Sequence, residues 1–254
     1  MRRRGRLFKN VPSDRRPGDH SVTARRRAQT DIHLYVREAG RGAPLVLLHG
    51  NGESSDYFLH QISYFSKSRR VLAVDTRGHG RSPRGTAPFT LEQFADDLKA
   101  LFDAKGVRRA DLLGFSDGGN VALLFALKYP EHVRRLILNG ANLSPSGVKL
   151  RVQLPICLGY GLVSLFALFD RKAAAKKELL GLMVTQPHIA PQSLQTVAAP
   201  TLVIVGDRDM IRSGHSRLIA DSLPAGRLCV LHGSHFVACE NSAAFNRAVA
   251  AFLA

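Results

Sequence analysis

From Asp31 onward, short apolar runs alternate with longer segments in which apolar residues recur every three or four positions. IHLYVREAG alternates like a half-buried strand, GRGAP turns, and LVLLHG is the unbroken apolar run of a strand covered on both faces. Asp56 to Ser66 reads as a helix, Val71 to Asp75 as a strand, and Leu91 to Ala104 as an amphipathic helix. Ala110 to Phe115, Val133 to Asn139, TLVIVG from Thr201 and Arg227 to Leu231 read as further strands, with helices near Ser213 to Ser222 and over Ala243 to Ala254. This alternation predicts an α/β domain with a mostly parallel central sheet and helices on both faces.

The rhythm breaks between about Leu143 and Ala199, where the composition is helical and rich in Leu and Ala. The segment reads as a short helical lid inserted at about 143–199. Within it, Val152 to Phe169 runs 18 residues without a charge, long enough to weigh as a membrane span. Gln153, Pro155 and two glycines count against a span, as does its place inside an alternating αβ chain; lid or core helices explain the same composition. The expected organisation is a basic extension over 1–28 followed by one domain over 29–254 that carries the insertion.

Composition changes this picture at one end. With 254 residues and 45% hydrophobic content the chain can bury a sizeable core, which excludes disorder throughout. The formal charge is +16, but residues 1–27 carry ten Arg or Lys against two Asp, which is half of the excess. That stretch has no apolar run after its arginines, so it lacks the core of an export signal. It reads as a solvated, disordered extension, with a transit peptide or a tether to an anionic surface as the functional alternatives. A nucleic-acid or membrane-surface partner is expected only through this tail, since the chain has no Trp and no basic motif rich in aromatics. Cys157, Cys229 and Cys239 are odd in number and lack metal-ligand spacing, which argues against a disulfide framework or a zinc site and for a reducing, cytoplasmic compartment.

The stretch DLLGFSDGGNVALLFALKYP, Asp111 to Pro130, places a G-x-S-x-G turn between a strand and a helix and puts Ser116 forward as a nucleophile. Gly114 and Gly118 stand where a side chain would block the close approach of strand and helix. A serine hydroxyl is a weak nucleophile, so Ser116 needs a base within hydrogen-bond reach and an acid that orients the base. His235, in GSHF after the last apolar strand, and Asp209, in VGDRDM after the preceding one, both fall where parallel strands end, the edge that hosts sites in open α/β sheets. Asp207 competes for the acid, and His49, His79 and His232 for the base.

The order Ser, Asp, His, together with LLHGNG and VDTRGHGRS, resembles the α/β-hydrolase fold of the esterase and C–C hydrolase type over residues 31–254. The resemblance implies that Asn51 and Asp117 give backbone N–H groups to an oxyanion hole and that Asp75 to Ser82 is a structural loop. The family's G-x-x-D spacing from Gly206 selects Asp209. Where some members carry the acid before the lid, this chain has Asn139 and Asn142 and no carboxylate. The implied activity is that of a cofactor-independent serine hydrolase cleaving ester-like small molecules with an apolar portion, through Ser116, His235 and Asp209 and an acyl-enzyme. No metal cluster or dinucleotide fingerprint is visible. Amino-acid esters form a candidate subset, because G-x-S-D-G-G also occurs in some amino-ester hydrolases and would let Asp117 recognise a substrate amine. At about 6 Å and an effective dielectric near 20, an ionised Asp117 would repel an oxyanion by roughly 3 kcal/mol, so it must point away or be paired with an Arg or the turn backbone. A ligand receptor on the same fold, C–C bond hydrolysis, cofactor-free haloperoxidation and aminopeptidase activity stay open as alternatives.

Overall fold

The computed structural model describes residues 30–254; the basic extension assigned to 1–28 lies outside them. Seven strands form one sheet: β1 (Val36–Ala39), β2 (Pro44–Leu48), β3 (Arg70–Val74), β4 (Ala110–Phe115), β5 (Val133–Asn139), β6 (Thr201–Gly206) and β7 (Gly226–Leu231). Their spatial order is β1-β3-β2-β4-β5-β6-β7. β1 runs antiparallel to β3 and every other pairing is parallel.

The apolar runs are continuous because both faces of the sheet are covered. Successive side chains point to opposite faces, so Val46 and Leu48 enter one core while Leu45 and Leu47 enter the other. On the first side, helices α2 (Leu91–Lys105) and α3 (Asp117–Lys128) supply Phe94, Leu98, Phe102 and Phe125, and α6 (Ser213–Ser222) supplies Ile219. On the second, α1 (Leu59–Phe65) and the C-terminal α8 (Ser242–Leu253) supply Phe65, Phe245 and Val249. α2 starts where Thr90 accepts a hydrogen bond from Gln93 N–H and stops at Gly106, whose φ of 63° few side-chain-bearing residues tolerate.

Several boundaries differ from the periodicity. The alternating run from Asp31 pairs in the sheet only over β1. Before it, Tyr35 is held by the Asp75–Gly85 loop instead: its N–H donates to Ser82 Oγ and its carbonyl accepts from Asp75 N–H. The helix expected from Asp56 opens as a 3-10 turn, Ser55–Phe58, before α1 begins. A four-residue helix, α7 (Val237–Glu240), intervenes between His235 and α8.

Between β5 and β6 the chain leaves the sheet for two packed helices, α4 (Leu150–Phe166) and α5 (Arg171–Thr185). Asp170 separates them and caps α5, accepting from Lys172 and Ala173 N–H. Among the described residues no helix is long and apolar enough to cross a membrane, and the uncharged run from Val152 is helical only as far as Phe166. The base of this excursion is stapled to the loop after β6: Val148 bridges to Ile211, Lys149 N–H donates to Met210 O, and Lys149 Nζ donates to Asp209 O.

Candidate active site

Ser116 sits at the corner between β4 and α3 with φ 53° and ψ −121°, and among the described residues it is the one non-glycine with positive φ. The corner closes because its neighbours are small. A Cβ on Gly114 would run into Gly118 O, and one on Gly118 into the carbonyls of Leu48 and His49. The glycine spacing around the serine is therefore a packing requirement of the turn.

His235 follows β7 and Asp209 follows β6, and the parallel strands bring both to the corner. His235 Nε2 lies 3.0 Å from Ser116 Oγ, and Nδ1 lies 2.7 Å from Asp209 Oδ1. A carboxylate only accepts, so Nδ1 carries the proton and Nε2 is left to accept from the serine hydroxyl. Asp209 Oδ1 also accepts from Ile211 N–H at 2.9 Å, which fixes the carboxylate; Oδ2 is buried with no partner among the described residues. The imidazole is walled by the rings of Phe115 and Phe236, and Tyr57 stacks on Phe115 from behind at 4.2 Å. After β5, Gly140 turns with φ 63°, and a Cβ there would come within 2.6 Å of the His235 ring. The end of β5 is therefore bare where the His235 ring lies against it.

The rival residues are engaged elsewhere. Asp207 is exposed, accepts from Gly233 N–H and pairs with His232, itself largely exposed; these contacts hold its carboxyl below the usual range. His49 is buried: Nδ1–H donates to Gly50 O and Nε2 accepts from Thr76 N–H. Burial, with the nearby His79 adding to it, pushes its pKa down to about 4. In the Asp75 to Ser82 loop, Asp75 accepts from Ser55 and Arg81 N–H, and Arg77 makes a buried two-pronged pair with Asp97. Arg77 also pairs with Asp31, tying the first described residues to this loop.

Asn51 follows Gly50 in the loop after β2, and Asp117 is the first residue of α3, so its N–H is among those a helix leaves without an internal partner. The Asp117 side chain is buried and meets no arginine among the described residues. Its Oδ2 accepts from Asn51 Nδ2 at 2.9 Å and its Oδ1 from Asn120 Nδ2 at 3.3 Å. Burial raises its pKa, and the two amide donors offset this only in part. Asn120 also bonds Asn142, through Nδ2 to Oδ1 and through its Oδ1 to the Asn142 N–H.

The model of the alpha/beta hydrolase fold matches residues 43–187, more than half of the chain. The chain belongs to the alpha/beta hydrolase fold family. Within it, the 2-hydroxymuconate semialdehyde hydrolase of Pseudomonas sp. (strain CF600) is 29% identical, aligning 88% of this chain with 91% of that protein. The serine hydrolase BPHL of Mus musculus is 28% identical over 92% of this chain and 87% of its own length. Among solved structures, a hydrolase from Pseudomonas aeruginosa PA01 superposes with a TM-score of 0.70 at 25% identity, covering 88% of this chain and 98% of that one.

Around the site of this alpha/beta hydrolase fold protein, three groups escaped the sequence reading. Asn120 stands three residues after Asp117 on α3, a spacing at which helix side chains meet, so the motif itself held the signal. Glu53 accepts from Gly50 N–H at 3.2 Å, and burial raises its pKa. Lys149 reaches the carbonyl of Asp209 from the start of α4, a contact no sequence pattern announces. Among the described residues no group of three or more His, Cys, Asp or Glu is placed to hold a metal.

Proposed function

We propose that this protein is a cofactor-independent serine hydrolase of ester-like small molecules. The observation that carries the reading is the unbroken chain from Ser116 Oγ through the His235 ring to Asp209 Oδ1, at 3.0 and 2.7 Å. In this mechanism His235 Nε2 takes the hydroxyl proton as Ser116 attacks the carbonyl, and Asp209 stabilises the imidazolium that forms. The main-chain N–H groups of Asn51 and Asp117 receive the oxyanion. His235 then returns the proton to the leaving group, and water, activated by the same imidazole, releases the acyl group from Ser116.

The α4–α5 insertion acts as the lid of this site and supplies apolar walls for an acyl or alcohol portion. Its tie to the site is concrete, because Asn51 Nδ2 also donates to Leu179 O on α5 at 2.8 Å. Amino-acid esters are less favoured as substrates than neutral ones: both Asp117 oxygens already have amide donors, and a substrate ammonium would have to displace Asn51 or Asn120.

The test is labelling by a fluorophosphonate followed by turnover of short p-nitrophenyl esters. Ser116→Ala should abolish labelling and lower kcat by at least about 10³-fold. Hydrolysis that persists at full rate in Ser116→Ala sinks the mechanism. A second reading, hydrolysis of a C–C bond in a ring-cleavage product, is favoured by the similarity to 2-hydroxymuconate semialdehyde hydrolase. Turnover of 2-hydroxymuconate semialdehyde well above that of the esters would select it.

A further inference from the structure

The exposed large apolar side chains of the described residues are concentrated on one helix. No residue of α4 is buried, and Leu154, Leu158, Leu162, Leu165, Phe166 and, just beyond its end, Phe169 are all more than half exposed. With the adjacent Leu165 and Phe166 taken together, they recur at intervals of three and four, so they form one continuous outward stripe, while the opposite side of α4 packs on α5. A stripe of this length, about 22 Å at 1.5 Å per residue, is a large apolar surface to leave in water.

Charge decides what fits it. Exposed Arg151 stands at one end; exposed Arg171, Lys172 and Lys176 stand at the other, where Asp170 is committed to capping α5. A second copy related by a two-fold axis would set these cationic ends against Arg151 or against each other, a like-charge juxtaposition. An anionic surface would meet opposite charge at both ends. Where the hairpin turns, a cavity of about 400 Å³ opens between α4 and α5, walled by Val163, Phe166, Phe169 and Ala173 and rimmed by Lys172, Lys176 and Asp170, whose carboxylate accepts from the Lys172 and Ala173 N–H groups. Apolar walls under ammonium groups match an acyl chain beneath an anionic headgroup.

We propose that α4 is a docking face for an anionic phospholipid surface, with the helix lying in the plane of the interface. α4 has 17 residues, and among the described residues no helix is long and apolar enough to cross a membrane, which fits a helix that rests on one. Arg151, Arg171, Lys172 and Lys176 reach the headgroups while the Leu and Phe side chains enter the acyl boundary. This inference does not depend on the chemistry assigned to Ser116.

The experiment is co-sedimentation of the full-length protein with vesicles of phosphatidylglycerol and phosphatidylcholine, against pure phosphatidylcholine. The wild type should sediment with the mixed vesicles and much less with the neutral ones. Leu158→Glu combined with Leu162→Glu should weaken binding by about tenfold or more at an unchanged melting temperature, since those side chains are 67% and 59% exposed. Phe169→Asp, at a position 90% exposed, should do the same and guards against misfolding of the double variant. Full binding retained by both variants would assign the attraction to the basic extension and overturn the proposal. So would equal binding to neutral vesicles, no binding by the wild type, or a vesicle-free dimer in light scattering that the variants dissolve.

Discussion

Asn51 donates its side-chain amide to the carboxyl of Asp117 at 2.9 Å, so the two residues proposed to hold the oxyanion through their main chains are also joined through their side chains. The same nitrogen reaches Leu179 O on α5. One amide therefore ties together the loop after β2, the Ser116 corner and the helical insertion.

Asn51→Ala keeps the proposed N–H donor and removes both of these bonds. Its kcat/KM on p-nitrophenyl esters should fall by about 10- to 100-fold, because the donor loses its placement and not its chemistry. Fluorophosphonate labelling of Ser116 should slow in parallel. An unchanged rate of both would show that the loop holds its position without the amide.

Asp117→Asn should lower turnover of matched amino and neutral esters by the same factor, since both carboxyl oxygens are engaged inside the protein. A loss confined to the amino ester would assign Asp117 to amine recognition. Burial raises the folded pKa of this carboxyl above its unfolded value, so the folded state holds the proton more tightly. Its contribution to stability is present below the unfolded pKa and is lost as pH rises through the folded one. In denaturant titrations the wild type should gain on Asp117→Asn as pH is lowered.

His49 gives the opposite pH signature for a different reason. Its folded pKa, pushed down to about 4, lies below the ordinary 6.5, so as pH falls through this window the unfolded chain takes a proton that the folded one refuses. Stability should fall between about pH 6.5 and 4, by up to about 3 kcal/mol from this group, and flatten below. Urea midpoints of the wild type should follow that slope. His49→Gln, less stable at neutral pH because the Thr76 and Gly50 contacts are disturbed, should show a shallower one.

Two glycines make a matched pair. Gly114→Ala drives a methyl into Gly118 O at the turn and should cost about 1–3 kcal/mol. Gly214→Ala on α6 meets nothing within 4 Å and should stabilise by about 0.4–1 kcal/mol. Thermal melts of the two single variants should move in opposite directions.

The strands and the corner were readable because their causes are local. Leu45 to Leu48 are apolar without a break because both faces of β2 are covered, and Gly114 and Gly118 are small because the turn has no room. The wiring of the site was not readable. Asn51 meets Asp117 across 66 positions and Lys149 meets Asp209 across 60, and an isolated Asn or Lys carries no periodicity that names its partner. The expectation that Asp117 pairs with an arginine or with the turn backbone gave way to two amides for the same reason. α4 shows a third limit. An apolar helix has the same composition whether its Leu residues face inward or outward, so the exposed stripe exists only once α5 has taken the other side.

Ser116 occupies a backbone conformation that costs an ordinary residue on the order of 1–3 kcal/mol, and its hydroxyl is turned to the His235 ring at 3.0 Å. Ser116→Gly should thus melt higher than the wild type while being inert. The fold would be better off without its serine, and the strain at this one corner is the portion of stability that the molecule gives up to keep an oxygen at the mouth of its sheet.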